Sequence, residues 1–165
     1  MFILDTDVLS NLRRRRPHPT LLRWVEETGW SELATTVTTV MEIAFGIELA
    51  RRGDPIVADA VEQWLGGLLA AGQPQIFPLD VEAARTLGRM YAIPALRHFL
   101  VNGPAARQAK TGADLAIAAI ALSRGAVIAT NNTADFLTIH RQVGLPGLFN
   151  PFTGEWPVPA TRQSA

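Results

Sequence analysis

The chain contains no cysteine, a single tyrosine, only three histidines and no excess of either charge, fifteen Lys and Arg balancing fifteen Asp and Glu. The absence of thiols excludes a disulfide framework, a cysteine nucleophile and a cysteine-ligated zinc, and it suits a reducing compartment. His18, His98 and His140 stand in separate segments without H-E-x-x-H spacing and read as surface or loop residues. No G-x-x-x-x-G-K-[ST], G-x-G-x-x-G or G-x-S-x-G segment occurs, which removes the usual phosphate-cradling loops and the serine nucleophile elbow. The longest nearly apolar stretch, Ala113 to Leu122, carries Asp114 and falls far short of the roughly 20 residues a membrane span needs. Residues 1–16 run apolar first and basic second, the reverse of a signal peptide. Zero net charge gives no bulk attraction to nucleic acid or membrane. With 165 residues, 48% of them apolar, the expectation is one globular cytoplasmic domain that folds without a disulfide or metal.

Strand and helix alternate along the chain. Phe2-Ile3-Leu4 is a short apolar run ending at Asp5, followed by helix-compatible residues from Val8 to Arg15 and a break at Pro17 and Pro19. Leu21, Leu22, Trp24 and Val25 fall at helical spacing, with Gly29 as a stop. The pattern then predicts a strand over Leu33–Val37 and helices over Thr39–Arg52, Asp59–Ala71 and Asp80–Tyr91, with a strand near Ile76 and Phe77. Ile93 to Ala109 reads as broken helix and loop. Leu115–Leu122 is apolar all round, as in a fully buried helix, and Ala126–Thr130 is the clearest strand. A short helix near Phe136–Arg141 and an extended segment at Leu148-Phe149 follow. The prolines at 151, 157 and 159 suggest a loose end, so the domain is expected to span residues 1–152 and residues 153–165 to form a flexible tail. Apolar strands separated by helices imply an α/β fold with a mostly parallel sheet covered on both faces. Ligands bind such sheets at the carboxyl ends of the strands, the edge that holds Asp5 and the Thr130–Asp135 segment.

Capping explains each candidate acid separately. Asp5 ends the first strand, Glu42 follows Thr39 and Asp114 follows Thr111 at capping-box spacing, and Asn132 and Asp135 follow the strongest strand. Together they mean more, because helix openings in a parallel sheet converge on one edge. Helix dipoles are expected to keep these carboxylates ionised, and several close together repel unless a cation sits among them. An all-oxygen set selects a hard divalent ion, Mg²⁺ or Mn²⁺, suited to phosphodiester hydrolysis.

The segment Ile3-Leu4-Asp5-Thr6-Asp7-Val8-Leu9-Ser10 resembles the start of PIN-domain ribonucleases, above all VapC-type toxins of bacterial toxin–antitoxin pairs. Thr38 to Gly46, Asp114 to Ala121 and Ala129 to Phe136 are similar to the family's later acidic segments, in order, and Leu148-Phe149-Asn150-Pro151-Phe152 resembles its closing segment. The resemblance implies a PIN-like three-layer sandwich and a Mg²⁺-dependent endoribonuclease, with Mn²⁺ able to substitute and tRNA or rRNA as the favoured substrates. It implies that Asp5 and Asp114 are the principal metal ligands and that Glu42 ligates metal or orients the attacking water. Thr6 and Thr130 would orient carboxylates through their hydroxyls. Many relatives carry Asp where this chain has Asn132, so either Asn132 or Asp135, one turn later, completes the set. A cognate antitoxin and a homodimer are the implied protein partners. A non-catalytic PIN-like module that holds nucleic acid or protein is the alternative, and Asn132 keeps it open.

Arg13-Arg14-Arg15-Arg16 reads either as a solvated helix end or as a phosphate contact near the active edge, with Arg97, Arg107 and Lys110 as weaker candidates for RNA binding. Trp24, Trp64, Leu65, Leu68 and Leu69 read as core or as a partner surface.

Overall fold

The computed structural model describes residues 1–100 and 111–161. Its sheet has the strand order β3-β2-β1-β4-β5-β6. These are β1 (Phe2–Leu4), β2 (Leu33–Thr36), β3 (Gln75–Phe77), β4 (Val127–Ala129), β5 (Leu148–Asn150) and β6 (Glu155–Val158). The first five pair in parallel, and β6 returns antiparallel along β5. The helices are α1 (Thr6–Leu12), α2 (Pro19–Thr28), α3 (Val37–Arg51), α4 (Pro55–Ala71), α5 (Val81–Tyr91), α6 (Ala113–Arg124) and α7 (Thr133–Val143). A 3₁₀ segment occupies Pro94–Phe99.

Strand alternation builds the expected three layers. Ile3, Ala34, Ile128 and Leu148 point to a core made with α5, α6 and α7, where Met90, Ile117, Ile120, Phe136 and Ile139 are buried. Their neighbours Leu4, Leu33 and Ala129 point the other way, onto Val8, Leu21, Val25, Ile43, Ile47 and Leu65 of α1 to α4. Every residue of α6 from Leu115 to Ala121 is buried, and its alanines allow close approach to its neighbours. Of the tryptophan and leucine set, Leu65 is buried, Trp24, Trp64 and Leu68 are half-buried, and Leu69 is exposed.

Several boundaries differ from the sequence expectation because caps decide them. Asp5 caps α1, so the helix starts at Thr6 and ends at Leu12, leaving Arg13–Arg16 exposed beyond it. Four adjacent cations followed by Pro17 disfavour further helix. Thr36 caps α3 by accepting from the Thr39 backbone N–H at 3.1 Å, so Val37 belongs to the helix and Thr39–Glu42 does not act as a capping box. Asp54 accepts from the Val57 N–H at 3.1 Å with Pro55 in the first turn, which starts α4 four residues before the expected Asp59.

The expected loose tail is corrected at residues 155–158, which form β6. A turn through Gly154, at φ 78°, reverses the chain, and Trp156 then packs on Phe149 at 4.8 Å between ring centroids. Pro157 is accommodated because β6 is an edge strand. Of the remaining positively charged candidates, Arg107 and Lys110 lie outside the described residues.

The chain order runs outward from β1 in both directions, through β2 to β3 and through β4 to β5. The crevice at such a reversal, beyond the carboxyl ends of β1 and β4, is where this architecture leaves room for a ligand.

Candidate active site

Asp5 follows β1 and is only 4% exposed. Its Oδ1 accepts from the Thr6 backbone N–H at 2.7 Å and its Oδ2 accepts from the Thr130 hydroxyl, also at 2.7 Å. Thr130 in turn accepts from the Asn132 backbone N–H at 2.9 Å, so the ends of β1 and β4 are stitched together through one carboxylate. Burial raises the Asp5 carboxyl well above its ordinary range, and repulsion from Asp7 and Asp114 pushes the same way. The hydrogen bonds from Thr130 and Thr6 pull it back only in part.

Asp7, in the first turn of α1, was not among the candidate acids. Its Oδ2 accepts from the Asn131 backbone N–H at 2.9 Å, while its Oδ1 is buried without a partner among the described residues. Burial raises its pKa against the lowering effect of backbone N–H groups of Asn131, Val8 and Asn132 and the Thr130 hydroxyl. The expectation that helix openings keep the candidate carboxylates readily ionised is therefore corrected for Asp5. Desolvation, with repulsion from Asp7 and Asp114, outweighs the dipole at Asp5, and desolvation alone raises Asp7. The sequence signal was the Asp5-Thr6-Asp7 spacing itself, which places two acids at the opening of one short helix.

Glu42, on α3, is held by two hydroxyls from distant parts of the chain. Thr6 Oγ1 donates to its Oε2 at 2.6 Å and Thr111 Oγ1 donates to its Oε1 at 3.0 Å. Thr111 also accepts from the Ala113 N–H at 3.3 Å, while Gly112 is the N-cap of α6. Capping-box spacing between Thr111 and Asp114 thus reflects a shared place at the mouth of α6, with the Thr111 hydroxyl directed to Glu42. Asn132 precedes α7 without a side-chain capping bond; its amide donates to Asp135 Oδ2 at 3.0 Å.

Glu42, Asp114 and Asp135 line one cleft of about 160 Å³, together with Phe99, Thr111, Gly112 and Ala113. Asp114 links this cleft to Asp5 and Asp7 through its repulsion of Asp5. Arg13 borders a neighbouring groove that also includes Thr6, Ser10 and Glu42, whereas Arg14–Arg16 and Arg97 are simply exposed.

Among the described residues, no three His, Asp or Glu side chains close on one point as a ready metal cage. The donors are all oxygen, one buried carboxylate oxygen lacks a partner among those residues, and Asp5 is pushed towards neutrality by its acidic neighbours. A hard cation would relieve each of these features, and the residues present fit one.

The fold and site define a mostly parallel α/β protein with converging carboxylates at the sheet's switch point. A PIN domain family model matches residues 2–140, and the chain belongs to that family. It is similar to VapC ribonuclease Y4jK of Sinorhizobium fredii, with 29% identity over 144 residues covering 82% of this chain and 90% of the relative. Plasmid stability protein StbB of Pseudomonas syringae pv. tomato is 30% identical over 136 residues, covering 82% of this chain and 91% of the relative. The solved structure of FitAB bound to an IR36 DNA fragment matches with TM-score 0.63 and 25% identity, covering 92% of this chain and 96% of that one. DNA-bound VapBC from Salmonella typhimurium shares the fold at TM-score 0.65 and 23% identity, covering 91% of this chain and 97% of that one.

Proposed function

We infer that the protein is a metal-dependent endoribonuclease acting as the toxin of a toxin–antitoxin pair in the cytoplasm. The observation that carries this reading is a buried Asp5 tied through Thr6 to a Glu42 that two threonine hydroxyls fix, at the mouth of the parallel sheet. Similarity to a VapC ribonuclease over most of both chains supports the reaction, and the FitAB and VapBC complexes support an antitoxin partner. Exposed apolar residues on α3 and α4, including Met41, Phe45 and Ile56, suit protein contacts with an antitoxin and a second copy.

Asp5 and Asp114 would hold Mg²⁺ or Mn²⁺, with Asp7 and Asp135 adding negative charge around it. When bound, the ion supplies Lewis-acid stabilisation of phosphoryl charge and lowers the pKa of water. Glu42, aligned by Thr6 and Thr111, orients the attacking water and accepts its proton. Asn132 holds Asp135 against the cleft and takes the place of a further acid. In-line attack on the phosphodiester then leaves a 5′-phosphate and a 3′-hydroxyl. Structured RNA, tRNA or rRNA, is the proposed substrate.

The test is incubation of the purified protein with total RNA in Mg²⁺, in chelator, and with Asp5→Asn replacing the wild type, followed by sequencing of the new RNA ends. Discrete 5′-phosphate ends that need both the cation and Asp5 are expected. Wild-type rates from Asp5→Asn would overturn the assignment, and RNA binding without cleavage by the wild type would favour the binding module.

A further inference from the structure

One part of the molecule is left unused by this chemistry. His18 is the N-cap residue of α2, but its side chain makes no capping bond. Its ring meets Phe152 edge-on, with centroids 5.5 Å apart and planes at 61°, forming a corner open to solvent on the His18 side. Arg13–Arg16 lie immediately before it in the chain, all exposed.

Two independent routes tie this corner to the carboxylates. Along α1, Asp7 and Asn11 are four residues apart and share a face, and Asn11 Oδ1 accepts from the His18 backbone N–H at 2.9 Å. Along the sheet edge, Asp7 accepts from the Asn131 N–H at 2.9 Å and Asn131 Oδ1 accepts from Asn150 Nδ2 at 3.3 Å. Asn150 Oδ1 then accepts from the Phe152 N–H at 2.9 Å. At 1.5 Å rise per residue, Asn11 stands about 6 Å along α1 from Asp7.

We propose that the His18–Phe152 corner is a base-stacking subsite for single-stranded RNA, with Arg13–Arg16 holding the adjoining phosphates and the strand passing over Asn11 and Asn131 to the carboxylates. This rests on the reading that the cluster cleaves RNA. An aromatic face beside exposed cations is the combination that binds an unpaired strand without reading its sequence. Such a ring face stacks on an unpaired base, so the subsite favours a loop or single-stranded stretch of the structured substrate.

The experiment uses the whole chain in chelator, where no cleavage occurs, and follows binding of a short labelled single-stranded RNA and its duplex by anisotropy. His18→Ala and Phe152→Leu should each weaken single-strand binding about fivefold or more, with duplex binding and the salt dependence unchanged. Arg14→Ala should instead reduce the slope of log affinity against log salt by about 0.7. His18 is exposed, so its replacement keeps the fold, and thermal melts report any loss of packing in Phe152→Leu. Wild-type affinity in His18→Ala overturns the subsite, as does equal weakening for duplex and single strand. A wild type that binds RNA with this ring dependence but never cuts it with Mg²⁺ or Mn²⁺ would sink the ribonuclease reading alone.

Discussion

Asp5 accepts two hydrogen bonds, yet its neutral form is favoured by burial and by two acidic neighbours. Its folded pKa lies above the unfolded value of about 3.9, so the native state binds more protons between those limits. Stability present at low pH is lost as pH rises through that window, and Asp7 adds in the same direction. Replacing Asp5 by Asn removes this loss along with one hydrogen-bond acceptor. In urea titrations without divalent cations, the variant should therefore gain on the wild type from about pH 4 until the pH passes the raised pKa of Asp5, and then hold level; parallel profiles throughout would contradict the burial argument. Glu42 makes a separate prediction. Thr6→Val or Thr111→Val should lower kcat on the order of tenfold with little change in KM, and serine at either position should restore it, as measured in cleavage assays. The sequence singles out Asp5, which ends an apolar strand, Glu42, inside a helical stripe, and Asp114, which opens an apolar run. The Thr111 contact was not legible, since its partner lies 69 residues away and a local capping pattern already explained the residue. Asp7 was hidden by its ordinary place as a first-turn acid.

Among the elements, the central ones were the most legible. Both α6 and β4 carry unbroken apolar runs, and a segment buried on all sides has little alternative. Helix starts were less so, because one capping side chain moved α4 by four residues and α3 by two. Sequence alone missed β6: its prolines argue against a strand, and what holds it is tertiary, the stack of Trp156 on Phe149 and the close passage of Ala160 over Gly147. A Cβ at Gly147 would stand 2.9 Å from Val127 Cγ2 and 3.1 Å from the Ala160 Cα. Gly147→Ala should accordingly destabilise by about 1–3 kcal/mol, since overpacking forces backbone shifts. For a chain of this size that lowers Tm by about 2–4 °C per kcal/mol, read from thermal melts. An unchanged Tm would mean that the terminal strand is not closely docked there.

For the molecule as a whole, a balance of fifteen acids and fifteen bases conceals a separation. Carboxylates gather at the switch point while four arginines stand exposed at the end of α1. The sheet order produces this juxtaposition, because β1 and β4 are neighbours although Asp5 and Thr130 are 125 residues apart. The proposed reaction depends on those carboxylates holding a cation. Calorimetric titration of Mn²⁺ into the cation-free protein, compared with Asp114→Asn, measures this directly. A saturable site is predicted for the wild type, weakening as pH falls because protons compete for Asp5 and Asp7, and lost in the variant. No binding at millimolar Mn²⁺, or equal binding by wild type and Asp114→Asn, would contradict a metal centre at this edge.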